Sequence, residues 1–169
     1  METQKFPRRK QIHLNAFDYA SPDHIFFVTI CSANKRNHFS DPEISQVLIR
    51  QLEFRRSAGE IKLYCYCLMP DHLHLLLSLT EVYILKGGAF GERTLQSWVS
   101  AFKRFTSRTI EETFKIKPLW QRNFYDHVVR TDESVREICT YILGNPVRKD
   151  IVSSWEDYPF SRIADPLPG

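Results

Sequence analysis

The order of extended and helical segments predicts an α+β fold of the ferredoxin-like, RRM-like plan: an antiparallel sheet with helices packed on one face, followed by a C-terminal helix. Three observations predict it. Runs rich in apolar, aromatic and β-branched residues recur at strand length over 24–33, 61–69, 72–79 and 124–130. Two intervening stretches place apolar residues at helical spacing. Only Pro70-Asp71 separates the second strand from the third, the length of a tight hairpin.

Each element has its own physical reason. Residues 1–22 are polar and read as an irregular arm ending in Ser21-Pro22. HIFFVTICSA, from His24, is the first strand. Asp41 then supplies an N-cap and Pro42 a first helical residue, and Ile44, Val47, Leu48 and Phe54 give that helix its apolar face before Gly59 ends it. IKLYCYCLM and HLHLLLSL form the hairpin. After a loop through Lys86-Gly87-Gly88 and Gly91, a second helix runs from about Thr94 to Ile110 with Leu95, Trp98, Val99, Phe102 and Thr106 along one side. Pro118 breaks the chain within 115–123, and FYDHVVR is a short fourth strand.

Asp132 is a candidate cap for the last helix, whose buried stripe is Val135, Ile138, Cys139 and Ile142. Gly144-Asn145-Pro146 stops it. The segment 155–169 carries Pro159, Pro166 and Pro168 and reads as an irregular arm that packs Trp155 and Tyr158 on the body. A chain of 169 residues without repeats or low-complexity segments is expected to form one domain spanning 1–169.

Composition narrows the setting. No apolar run approaches the ~20 residues that span a bilayer, and METQKFPRRK lacks the apolar core of a signal peptide. Cys31, Cys65, Cys67 and Cys139 show no disulfide-framework spacing, so a cytoplasmic protein is expected, with no membrane partner. The net charge of +3 is mild, but it is unevenly spread. Residues 101–130 hold seven cations against three carboxylates, interleaved with Phe102, Phe105, Phe114, Trp120, Phe124 and Tyr125. Such a mixture suits a charged, stackable strand such as single-stranded DNA or RNA, although a solvated helix face has the same composition.

The chemistry-bearing feature is MPDHLHLLLSL, residues 69–79. In a strand, alternate residues share a face, so His72 and His74 project together while Leu73, Leu75 and Leu77 point the other way. Two adjacent imidazoles are most of a metal site. On the closing helix Tyr141 and Asn145 lie four apart, on one side and about one turn from each other. If the apolar stripe docks on the sheet, both approach its edge. An Asn carboxamide with two imidazoles makes a mixed N/O donor set with open positions, which suits Mg²⁺ or Mn²⁺ better than a closed zinc site. Tyr141 is equally readable as a core aromatic, and Asn145 as a turn residue before proline.

Several stretches resemble a known family. PDHLH matches the HUH motif, two histidines around a hydrophobic residue, of single-tyrosine HUH endonucleases. LWQRNFYDHVVR (119–130), YILGNPVRKDIV (141–152) and WEDYPFS (155–161) resemble its REP-associated tyrosine transposase branch (RAYT), relatives of the IS200-type insertion-sequence transposases. The resemblance runs from about residue 10 to 162. It implies that Tyr141 is the nucleophile, which makes the closing helix the catalytic one, and that His72 and His74 are the metal pair. Asn145 falls where insertion-sequence relatives commonly carry a Gln ligand, one methylene longer. Tyr125 is the rival nucleophile, without a partner ligand one turn away. The implied reaction is metal-dependent attack on a DNA phosphodiester to leave a 5′-phosphotyrosine, followed by rejoining through transesterification. The implied substrate is single-stranded DNA bearing a hairpin, a REP-type palindrome. Arg8, Arg9, Lys10, Lys103, Arg104, Arg122 and Arg130 are the candidate DNA contacts. Relatives act as monomers or homodimers, so the oligomeric state stays open.

Two other readings compete. In a two-residue hairpin Cys67 sits opposite His74 with Cys65 on its face, so Cys65, Cys67, His72 and His74 form a nominal Cys₂His₂ zinc set, although C-x-C departs from the usual C-x₂₋₄-C spacing. A non-catalytic nucleic-acid-binding module of the same shape would stack bases without forming a covalent adduct.

Overall fold

In the computed structural model, which describes residues 13–131 and 133–168, five strands form one antiparallel sheet. The strands are β1 (Phe26–Cys31), β2 (Ile61–Met69), β3 (His72–Leu79), β4 (Tyr125–Val128) and β5 (Ser161–Ile163). Their spatial order is β4-β1-β3-β2-β5. The first four strands with two crossover helices, α1 (Pro42–Ser57) and α3 (Leu95–Phe114), make the predicted plan. Between them lies a short helix, α2 (Glu81–Leu85), and the chain closes through α4 (Val135–Leu143) and α5 (Asn145–Arg148).

Alternation along the strands sorts side chains to two cores. Phe26, Val28 and Ile30 of β1 and Leu73, Leu75, Leu77 and Leu79 of β3 face α1 and α3, packing with Leu48, Leu52, Trp98 and Phe102. On the other face, Cys65, Cys67, Met69 and Leu76 pack beneath Ile138, Cys139, Ile142 and Leu143 of α4. A bulge in β2 makes this sorting possible. The register jumps between Leu63, opposite Leu77, and Cys65, opposite Leu76, so that one extra residue reverses the in–out parity of the strand. Leu63 and Tyr66 consequently both reach the α1/α3 core, while Tyr64, Cys65 and Cys67 turn toward α4.

The helix starts follow their capping chemistry. Asp41 accepts from the Glu43 amide (2.9 Å) with Pro42 at the first turn, and Thr94 forms a capping box with Ser97. Ser134, not Asp132, caps α4, accepting from the Glu137 amide (3.2 Å); Asp132 lies outside the described residues. Gly144-Asn145-Pro146 ends α4 without ending helical structure. Pro146 stands in the first turn of α5, where its missing N–H is no loss.

Both chain ends are docked within the described residues. Before β1, Tyr19 is buried and donates its hydroxyl to Asp126 (2.9 Å), whose other oxygen meets His13 Nδ1 at 2.6 Å. At the other end the segment expected to be irregular contributes β5, which pairs along the outer edge of β2. Tyr158 donates to the Leu68 carbonyl (2.7 Å), and Trp155 packs at the α4 core as expected.

Candidate active site

The two-residue turn at Pro70-Asp71 starts β3 with His72, and the strand period brings His74 to the same face. The imidazoles meet edge to face with centroids 4.6 Å apart, and their Nε2 atoms stand 3.1 Å from each other. Both Nδ1 atoms are held from behind. His72 Nδ1 donates to the Asp71 carboxylate (2.6 Å), and His74 Nδ1 meets the Thr29 hydroxyl (2.8 Å), presented by the paired residue of β1. Because a hydroxyl can donate or accept, Thr29 lets His74 offer either a proton or a lone pair at Nε2. Burial, with the charges of His72 and Arg148 adding to it, drives the His74 pKa well below the usual imidazole range. His74 is therefore neutral at neutral pH, the form in which imidazole binds a metal.

Tyr141 enters from α4. The Phe27 ring links it to the histidines, lying 5.3 Å from the His74 ring and 6.2 Å from the Tyr141 ring. The amphipathic stripe of α4 is buried against β2 and β3, while Tyr141 at its border is only half-buried, so the phenol is not sealed in the interior. Arg148 of α5 lies across its face. The guanidinium carbon is 4.2 Å from the ring centroid, and Nη2 donates to the Tyr141 carbonyl (2.6 Å). Gly144 provides room for this arrangement, since a Cβ there would stand 2.8 Å from Arg148 Nη1.

Asn145 is buried, and its Nδ2 donates to the carbonyls of Ile142 (3.2 Å) and Tyr141 (3.4 Å). These bonds commit the NH₂ half of the carboxamide to the end of α4 and leave the oxygen as its other face. The structure thus brings His72, His74 and Tyr141 together around Phe27 and seats Asn145 one turn beyond the phenol.

Cys67 does pair opposite His74, and Cys65 shares its face. Yet among the described residues no group of three or more His, Cys, Asp or Glu side chains is arranged to hold a metal, which sets the Cys₂His₂ reading aside. Contact with Cys139 and burial push the Cys65 thiol up, and burial pushes Cys67 up to about 12. Both pack beneath α4.

The candidate DNA contacts divide. Arg104, Arg122 and Arg130 are exposed. Lys103 is partly buried and its ammonium donates to the carbonyls of Gln121 (2.5 Å) and Arg122 (2.9 Å), bracing that loop. Arg8, Arg9 and Lys10 lie outside the described residues. Sequence reasoning did not single out Thr29, Phe27 or Arg148. Thr29 comes opposite His74 through the pairing of β1 with β3, a register that no hairpin turn fixes in the sequence.

Comparison with known proteins bears on the family and the fold. Residues 20–145 match the family described as "Transposase IS200 like". An uncharacterized protein of Haemophilus influenzae is 26% identical over 162 residues, covering 82% of this chain and 88% of that protein. A REP-associated tyrosine transposase of Escherichia coli K12 is 24% identical over 137 residues, covering 80% of this chain and 74% of its own. The solved structure of a REP-associated tyrosine transposase bound to a REP hairpin superposes with a TM-score of 0.64 at 21% identity, covering 88% of this chain and 82% of that one, and so shares its fold. The resemblance read from PDHLH, WQRNFYDH and YILGNP is borne out: with the family match running from the segment before β1 through Asn145, the chain belongs to the IS200-like transposase family.

Proposed function

We propose that this protein is a metal-dependent single-stranded DNA endonuclease and strand transferase whose nucleophile is Tyr141. The observation that carries the reading is the convergence of the His72 and His74 Nε2 atoms, 3.1 Å apart, on the face that α4 overhangs with Tyr141. Two neighbouring ligands of an octahedral cation at ~2.1 Å stand about 3 Å apart, so the pair fits Mg²⁺ or Mn²⁺. Supporting bonds on both Nδ1 atoms are the usual second layer of such a site. His72, His74 and the Asn145 carboxamide oxygen would hold the ion. Bound there, it would neutralise a non-bridging phosphate oxygen and orient the phosphodiester.

The chain supplies the rest. Phe27 and Arg148 fix the Tyr141 ring from two sides. The Tyr141 hydroxyl attacks phosphorus as it gives up its proton. The bond from phosphorus to the 3′ oxygen breaks, and that oxygen takes a proton to become a free hydroxyl. The 5′-phosphotyrosine ester conserves the energy of the bond, and a 3′ hydroxyl attacking it in the reverse sense rejoins strands without hydrolysis. The substrate is single-stranded DNA beside a hairpin of REP type, a reading supported by the hairpin-bound neighbour of the same fold. Arg8, Arg9, Lys10, Arg104, Arg122 and Arg130 would contact its backbone, with Lys103 positioning the Arg122 loop. The free cysteines accord with a cytoplasmic setting.

The test is an end-labelled oligonucleotide containing a hairpin and single-stranded flanks from DNA bordering the gene, incubated with Mg²⁺ or Mn²⁺ and run on a denaturing gel. A slow, protein-linked band is expected. It should vanish with chelator and in Tyr141→Phe, and fall steeply in His72→Ala. Binding without any adduct under either metal would favour the non-catalytic module instead.

A further inference from the structure

We infer that Tyr125 is a stacking platform for a base of the single strand that flanks the scissile phosphate. The inference rests on reading the His72–His74 face as the place where DNA is cut. Strand register is its foundation. Tyr125 pairs with Thr29, Thr29 pairs with His74, and His74 pairs with Cys67, so these four residues form one row and point to one face of the sheet. At the ordinary strand spacing, Tyr125 stands two strands, or about 10 Å, from His74 along that row.

The row is covered at one end and open at the other. Cys65, Cys67 and Leu76 are buried beneath α4, whereas Thr29, Cys31 and His127, on the β1 and β4 side, are only partly buried. Tyr125 is 56% exposed at this open end. An edge strand does not need a large exposed aromatic for packing. An unpaired nucleobase does need one, because an aromatic face stands in for the neighbouring base that it stacks on in a duplex.

Charge on the same edge suits a polyanion. The Gln121 amide donates to the Cys31 carbonyl (2.9 Å), and Cys31 pairs with His72. That bond sets the exposed Arg122 beside the row carrying His72, and exposed Arg130 follows β4 at its other end. His127, the next residue of β4 on this face, is engaged with Glu133 (2.8 Å), which leaves Tyr125 as the accessible ring of the strand. A strand entering along β4 would therefore meet cation, aromatic and cation before its phosphate reaches the histidines.

Fluorescence binding tests this directly. The probe is a DNA hairpin with an oligo-dA flank of about ten nucleotides, carrying single 2-aminopurine substitutions along the flank; stacking tolerates sequence, so an arbitrary flank serves. The full chain is used without metal, so that binding is read apart from cleavage. One flank position should show strong quenching on binding. Tyr125→Leu, which keeps an apolar strand residue, should abolish quenching at that position and weaken binding roughly 5- to 100-fold. Tyr125→Phe should retain both, because the ring and not the hydroxyl is at work. Equal binding and quenching by Tyr125→Leu and the parent would overturn the stacking role while leaving the transposase reading intact. Loss in Tyr125→Phe equal to that in Tyr125→Leu would overturn it too, in favour of a role for the hydroxyl. A parent chain that binds no single-stranded flank would overturn both.

Discussion

His72 and His74 face each other through their Nε2 atoms at 3.1 Å, each steadied from behind by a different partner: an adjacent carboxylate for His72 and the hydroxyl of a neighbouring strand for His74. The arrangement follows from the hairpin. Pro70-Asp71 is just long enough to turn the chain, so the residue that ends the turn is also the residue that orients the first imidazole.

Thr29 should therefore matter to binding of the proposed ion through His74 rather than by direct contact. Thr29→Val keeps the β-branched shape that β1 favours and removes the hydroxyl from His74 Nδ1. Mn²⁺ affinity, measured by titration calorimetry, should fall about 10- to 100-fold with the fold retained. Unchanged affinity would mean that the strand pairing alone orients His74.

Gly144 should be intolerant for a reason separate from backbone freedom. Its φ of −73° is open to any residue, so alanine costs nothing there in conformation. The added Cβ would instead meet Arg148 Nη1 at 2.8 Å and the Thr140 carbonyl at 3.1 Å. Gly144→Ala should displace the guanidinium from Tyr141 and slow adduct formation on the order of 10- to 100-fold, with little change in thermal midpoint. Arg148→Ala should show a comparable loss. Full activity in both would remove Arg148 from the account.

Much of this is legible in the sequence where local periodicity acts alone. The split of His72 and His74 from Leu73, Leu75 and Leu77 needs only the strand period, and the opposition of Cys67 and His74 needs only the turn length. The α4 cap is legible too. Ser134 has Glu137 three residues on, the spacing of a capping box, whereas Asp132 has no such partner. Pro146 is ambiguous by sequence because proline stops a helix it falls within but starts one it falls at the head of, and here it does the second. The three-residue β5 depends on the unpaired edge of β2 and carries no periodicity of its own. Arg148 reaches Tyr141, seven residues back, because helical backbone continues through Gly144 into α5, where Gly144-Asn145-Pro146 reads in the sequence as a stop.

Acid should loosen the C-terminal docking. Asp165 accepts from Arg56 Nη2 (2.6 Å) and from the Leu63 amide (2.8 Å), and the Arg56 bond is the main cause that lowers its carboxyl below the ordinary value of 3.8. A carboxyl lowered by folding stabilises the folded state at pH above its unfolded value, and that stability is lost as pH falls through the lowered one. Asp165→Asn should therefore reduce stability at neutral pH modestly and flatten the loss below about pH 4, measured by urea denaturation across pH. Parallel pH curves for parent and variant would contradict the linkage.

The most direct measurement of the central claim is the site of covalent attachment. After incubation with hairpin DNA and Mn²⁺, nuclease trimming and proteolysis, mass spectrometry should find the nucleotide mass on the peptide carrying Tyr141. Attachment to Tyr125, or to any residue other than Tyr141, would contradict the assignment of α4 as the catalytic helix.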